Sequence, residues 1–132
     1  MASLDCVLFV DDNEADNVYH SIILREVGCA RQIVAVESAQ EALDFLQKNK
    51  PPDLIFLDIN MPGMNGWEFL EEYEQAPYSQ EAATRIFMLT TSLNPEERCR
   101  AKQTPRVADF LRKPLEVKDL QEILSIHFSE LF

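Results

Sequence analysis

Apolar residues along this chain fall into two alternating rhythms. Short continuous runs at Cys6–Val10, Gln32–Val36, Asp53–Leu57, Arg85–Leu89 and Val107–Leu111 are rich in β-branched and aromatic side chains and too short for typical helices. They predict five strands. Between them the spacing turns helical: Ala39, Ala42, Leu43 and Leu46 stand at i, i+3, i+4 and i+7, and Ser38 with Glu41 makes an S-x-x-E capping box at the start. Asn65 and Glu68 open a third helix in the same way, while Asn94, Pro95 and Glu97 supply a cap, a first-turn proline and an acid for the fourth. The first helix is expected after Asn13, with Ala15, Val18, Tyr19, Ile22 and Ile23 as its inner stripe, and it ends near Gly28. The last begins at about Glu116 and turns Val117, Leu120, Leu124 and Phe128 inward. The stretch from Ala76 to Thr84 breaks the rhythm and reads as a surface loop.

Strand and helix alternate five times. Such alternation implies right-handed crossovers and a mostly parallel sheet covered on both faces, a three-layer α/β fold. The 132 residues suffice for one domain, expected to span 1–132, and leave no room for a second, effector domain. No run approaches the roughly 20 apolar residues of a membrane span, and the Met1-Ala-Ser-Leu-Asp5 start lacks the form of a signal peptide. The expectation is a soluble, cytoplasmic protein. A net charge of −11 opposes binding to the phosphate backbone of nucleic acids. Cys6, Cys29 and Cys99 are odd in number, widely spaced and without a C-x-x-C pair, so they read as reduced and mostly buried.

In a parallel sheet the C-terminal strand ends share one edge, where ligands bind. Asp11 and Asp12 follow the first strand, Asp58 the third, Thr90, Thr91 and Ser92 the fourth, and Arg112, Lys113 and Pro114 the fifth. Taken singly, each has a plainer reading as a helix cap, a turn hydroxyl or a solvated ammonium. Together they bring carboxylates that repel one another and need a counterion. An all-oxygen donor set suits a hard cation that keeps some of its water, hence Mg²⁺. A carboxylate beside such a cation can act as a nucleophile and form an aspartyl phosphate. Lysine, hydroxyl and backbone N–H groups would hold the anionic oxygens. Asp58 is the better nucleophile, because the Pro62-Gly63 turn after it leaves its carboxylate open, whereas the adjacent Asp11 and Asp12 suit metal holding.

The acidic pair at 11 and 12, the D-x-x-M-P-x-x-x-G run from Asp58 to Gly66, Thr90, and Lys113-Pro114 together resemble the receiver domain of two-component response regulators, over nearly the whole chain. The resemblance implies a CheY-like, flavodoxin-like (βα)5 fold with strand order 2-1-3-4-5. It implies that Asp58 accepts a phosphoryl group from a sensor histidine kinase or phosphotransfer protein. Mg²⁺ would be held by Asp11, Asp12, Asp58 and the backbone carbonyl of Asn60. Lys113 would pair with phosphoryl oxygens, its bond to Pro114 would be cis, and Thr90 and Phe110 would form the switch pair. Phe110 stands where tyrosine is commoner, and Thr91 where a small residue is frequent. Asn60 and Ser92 occupy positions that tune the lifetime of the acyl phosphate.

This implies a phosphoacceptor signalling switch and not an enzyme, with self-catalysed phosphotransfer and slow autodephosphorylation. As a stand-alone receiver it would pass its output to another protein, as a monomer or a phosphorylation-dependent dimer, with neither nucleic acid nor membrane as partner. A phosphorelay intermediate or phosphate sink is the alternative. A metal-dependent phosphohydrolase is disfavoured because Asn60 stands where that class carries its second acid, and a non-phosphorylated scaffold because no expected site residue is missing. Arg98, Arg100, Lys102 and Arg106 form a basic cluster on the face of the fourth helix, fifth strand and fifth helix, the expected output face, though cations there also serve the helix dipole. Of Trp67 and Phe69, one is expected in the core and the other partly exposed. His20 and His127 are expected at a helix surface or core edge.

Overall fold

The computed structural model describes residues 4–77, 83–91 and 94–129. Among the described residues ten elements alternate: β1 (Leu4–Val10), α1 (Glu14–Val27), β2 (Ala30–Val36), α2 (Ala39–Lys48), β3 (Leu54–Asp58), α3 (Gly66–Gln75), β4 (Arg85–Thr90), α4 (Pro95–Lys102), β5 (Val107–Arg112) and α5 (Val117–His127). The five strands are all parallel, in the order β2-β1-β3-β4-β5.

The caps lie where the sequence places them. Asn13, Ser38, Asn65 and Asn94 each accept a backbone N–H of the first turn that follows, and α1 stops at Gly28, whose φ of 69° lies in the left-handed region. The start of the fourth helix at Pro95 and the fifth at Val117 also match. The strands are apolar on both sides because the sheet is covered twice. On one side Leu8, Val10, Ile55, Leu57, Ile86 and Met88 pack with α2 and α3. On the other, Val7, Phe9, Phe56, Phe87 and Leu89 pack with α1 and α5. Each buried side chain of this size stabilises by about 1.5–3 kcal/mol.

Three sequence expectations change. The inner face of α1 is only partly the apolar stripe: Ile23 is buried as expected, but Ala15 is exposed and Val18, Tyr19 and Ile22 are 54%, 41% and 47% exposed, while Asn17, His20 and Leu24 are buried. His20 therefore lies in the core and not at its edge, flat against Phe9 with ring centroids 5.5 Å apart. Asn17 Nδ2 and His20 Nε2 find backbone partners, as described below, while Asn17 Oδ1 and His20 Nδ1 are buried without one. Trp67 and Phe69 are both buried: Glu97 and Arg100 of α4 cover Trp67, and Phe69 packs in the core on that side of the sheet. Cys6 and Cys29 are buried and Cys99 is exposed. The middle of the expected loop between Ala76 and Thr84, and Ser92, lie outside the described residues. Among those described, no helix is long and apolar enough to cross a membrane.

Candidate functional site

The parallel order carries the ends of β1, β3, β4 and β5 to one edge. Asp11 follows β1 directly, its N–H donating to the Val36 carbonyl at 3.1 Å as the last rung beside β2. Asp58 is the last residue of β3 and is buried there, so the turn after it does not leave its carboxylate open to solvent as the sequence suggested: Lys113 and the neighbouring acids close over it. Asp12 is exposed. One carboxylate oxygen from each of the three lies within 4.8 Å of the others. Such a donor set of oxygens, with one acid open to solvent, fits a hard divalent cation that keeps some of its own water.

Thr90 ends β4 and is fully buried, and its carbonyl accepts the Lys113 N–H at 2.9 Å. That bond ties the segment after β5 to the edge, and the Lys113–Pro114 peptide is cis. The Lys113 side chain points into the acids: its Nζ donates to Asp11 Oδ2 at 2.5 Å and to Asp16 Oδ2 at 3.0 Å, and stands 3.6 Å from Asp58 Oδ2. Burial works against the Lys113 ammonium, but its hydrogen bonds to Asp11 and Asp16 outweigh that and hold its pKa above the ordinary lysine value.

Asp58 is also shifted upward, which for a carboxyl disfavours the charged form. Burial pushes its carboxyl up to about 6; Lys113 pulls it down, and Asp11 adds to the rise. The Asn60 N–H, 3.4 Å from Asp58 Oδ1, gives a weak contact that also favours the charged form. The fold thus opposes the charge of the carboxylate that the sequence marks as nucleophile. That is the behaviour of a group poised for reaction or for a cation.

The chain at 58–66 is shaped by close approach. Gly66 N–H donates to the Ile59 carbonyl at 2.9 Å, and a Cβ at Gly66 would stand 2.7 Å from the Asp58 carbonyl oxygen and 2.9 Å from Ile59 Cα. Only glycine lets α3 begin so near the end of β3. Phe110 lies on β5, half-buried, with the Arg98 guanidinium 5.7 Å from its ring centroid. Arg100 lies over Trp67 at 4.4 Å, and Arg106 over Tyr73 at 5.3 Å with Glu74 as its ion-pair partner. Three of the four residues of the basic cluster are thus engaged within the chain. Trp67 Nε1 also donates to Glu97 Oε2 at 2.7 Å, fastening α3 to α4.

Sequence reasoning missed three residues of α1 that support the site. Asp16 reaches Lys113 across 97 positions. Asn17 Nδ2 donates to the Asp11 carbonyl at 2.9 Å, and His20 Nε2 accepts the Leu115 N–H at 3.2 Å. The α1 helix thus grips both the first acid and the segment that carries the lysine. Burial lowers the His20 pKa, which favours the neutral imidazole that can accept this bond.

Comparison with known proteins points one way. A family model described as the response regulator receiver domain matches residues 7–125. The Two-component response regulator ORR12 of Oryza sativa subsp. japonica is 32% identical over 119 residues, covering 90% of this chain and 94% of that protein. ARR3, a two-component response regulator of Arabidopsis thaliana, is 30% identical, and the chain spans 54% of its length. The crystal structure of a two component response regulator from Cytophaga hutchinsonii superposes with a TM-score of 0.89 at 27% identity, over 96% of this chain and 98% of that one.

Proposed function

Because this chain belongs to the response regulator receiver family, we propose that it is a phosphoacceptor switch in which Asp58 takes a phosphoryl group from a histidine kinase or phosphotransfer protein. The observation that carries the reading is the convergence of Asp11, Asp12, Asp58 and Lys113 at one sheet edge. The ionised Asp58 oxygen attacks phosphorus, the bond from phosphorus to the donor nitrogen breaks, and the imidazole leaves with its electron pair and takes up a proton. Asp58 must be charged to attack, and a pKa of about 6 leaves it mostly so at neutral pH.

Asp11, Asp12, Asp58 and the Asn60 carbonyl would hold Mg²⁺, which would offset the charge of nucleophile and phosphoryl group as they meet. Lys113 moves the short distance from the neighbouring acids to the phosphoryl oxygens. Asn60 has no acidic proton to transfer, so it cannot serve as the general acid/base of fast hydrolysis, and the acyl phosphate persists. An apolar strip of α1, Val18 and Ile22, stands exposed on the helix whose first turn adjoins the acids, which suits docking of a donor.

The Thr90 hydroxyl turns to the phosphoryl group and Phe110 packs inward behind it, remodelling the α4-β5-α5 face that a partner reads. A charge-assisted hydrogen bond supplies about 1.5–3 kcal/mol, whereas taking a two-state equilibrium from 1:99 to 99:1 requires about 5.5 kcal/mol. Thr90 and Lys113 must therefore act together, with both contacts formed mainly in the active state. We read the protein as a cytoplasmic receiver whose output is read at that face.

The test is incubation with Mg²⁺ and acetyl phosphate, followed by intact mass. The reading expects one phosphoryl group on the wild type and none on Asp58→Asn. Multiple turnovers with free phosphate would indicate a hydrolase, and no labelling would indicate a scaffold.

A further inference from the structure

We propose that Asp16 is a positioning residue for phosphoryl transfer: it holds the Lys113 ammonium away from Asp58 in the resting protein and must give it up to the phosphoryl group. The inference rests on the phosphoacceptor reading of Asp58. Lys113 Nζ has three carboxylates around it, and Asp58 is the farthest, at 3.6 Å against 2.5 Å for Asp11 and 3.0 Å for Asp16. The resting lysine is thus drawn toward the α1 side of the site.

Asp16 differs from the other two acids in place and in freedom. It is not among the three whose oxygens converge within 4.8 Å, so a cation bound by Asp11, Asp12 and Asp58 would leave its carboxylate to the lysine. Its backbone is fixed, since its N–H donates at 3.1 Å to the Asn13 side chain that caps α1. Its side chain is 36% exposed while that of Lys113 is 9% exposed, so Asp16 holds the lysine from the rim. When a cation draws on Asp11, the closest partner of Lys113, Asp16 becomes the chief restraint on the lysine.

Removing that carboxylate has two effects of the same sign. The lysine is freed to meet the phosphoryl oxygens, and one negative charge is taken from the approach of an anionic donor. A purely structural role, as a first-turn acid on the α1 dipole, predicts the opposite: a small loss of stability and no gain in reaction.

The experiment compares the wild type with Asp16→Asn and Asp16→Ser. Labelling by acetyl phosphate is followed by intact mass at neutral pH, Mg²⁺ binding by calorimetry, and folding by thermal melting. Both variants are expected to take the phosphoryl group about two- to five-fold faster, the effect of one half-exposed ion pair, with Mg²⁺ affinity within about twofold of the wild type. A gain of this kind cannot come from misfolding. Unchanged or slower labelling in variants that melt like the wild type would overturn the inference while leaving Asp58 as acceptor. Clearly weaker Mg²⁺ binding would overturn it by making Asp16 part of the cation site. A wild type that takes no phosphoryl group would overturn the phosphoacceptor reading itself, and this inference with it.

Discussion

The carbonyl oxygen of Asp58 lies where a side chain on Gly66 would have to go: a Cβ there would stand 2.7 Å from it. The start of α3 and the end of β3 therefore share one space, and the length of the turn between them is fixed by the absence of an atom.

Replacing Gly66 by alanine is expected to destabilise the fold by about 1–3 kcal/mol, because the atoms in the way are backbone and cannot rotate aside. At an open first-turn position the same change would be neutral or mildly favourable, since alanine is the better helix former. Urea denaturation gives the sign directly. The displaced Asp58 should also be labelled more slowly by acetyl phosphate.

Asp58→Asn is expected to make the metal-free protein more stable at neutral pH, by about 1–3 kcal/mol. The folded Asp58 pKa is raised from 3.8 to about 6. Its contribution to stability is therefore fully present below the unfolded value and is lost as pH rises through the folded one. Asparagine cannot ionise, so the difference between variant and wild type should vanish in acid below about pH 4. Added Mg²⁺ should stabilise the wild type and the variant unequally, in favour of the wild type, by mass action on the native state. Thermal melts with chelator and with Mg²⁺ across this range test both signs.

His20→Phe keeps a ring against Phe9 but leaves the buried Leu115 N–H without its acceptor. The expected cost is about 1–3 kcal/mol, and His20→Gln, whose carbonyl can accept the same bond, should recover part of it. The His20 pKa is lowered, so the folded state binds fewer protons at this site than the unfolded chain. Wild-type stability contributed by His20 should therefore fall as pH drops below the ordinary value of 6.5, and the glutamine variant should lack that component.

Trp67 reports on α4. Its indole donates to Glu97 and lies under Arg100, so Glu97→Ala should lower stability by about 1–2 kcal/mol and shift Trp67 emission toward that of a solvent-exposed indole. As the protein's one tryptophan, it gives a signal without further labelling.

The strands, the caps and the acids were legible in the sequence because each is a local signal. Asn13, Ser38, Asn65 and Asn94 act within three residues of themselves, and the apolar runs of β1 and β3 need no partner to be recognised. The inner face of α1 was not legible, for a definite reason. Val18, Tyr19 and Ile22 look like a buried stripe by hydropathy, yet the helix turns Asn17 and His20 inward, since each meets a backbone group of the site. The partner of His20 lies 95 residues away and that of Asp16 lies 97 away. A polar residue buried by such a partner carries no mark in its neighbours. The arginines after Asn94 are a mixed case: Arg98, Arg100 and Lys102 are exposed, as their count suggested, but the rings of Phe110, Trp67 and Tyr73 that receive Arg98, Arg100 and Arg106 come from other elements and leave no mark beside them.

The central claim is that the phosphoryl group resides on Asp58, and its position can be read chemically. The wild type is labelled with acetyl phosphate and Mg²⁺ and reduced with borohydride, which converts an aspartyl phosphate to homoserine. It is then digested and sequenced by mass spectrometry. The account predicts homoserine at position 58 and unmodified aspartate at 11, 12 and 16. Homoserine at any of those three positions, or none at 58 in labelled protein, would contradict it.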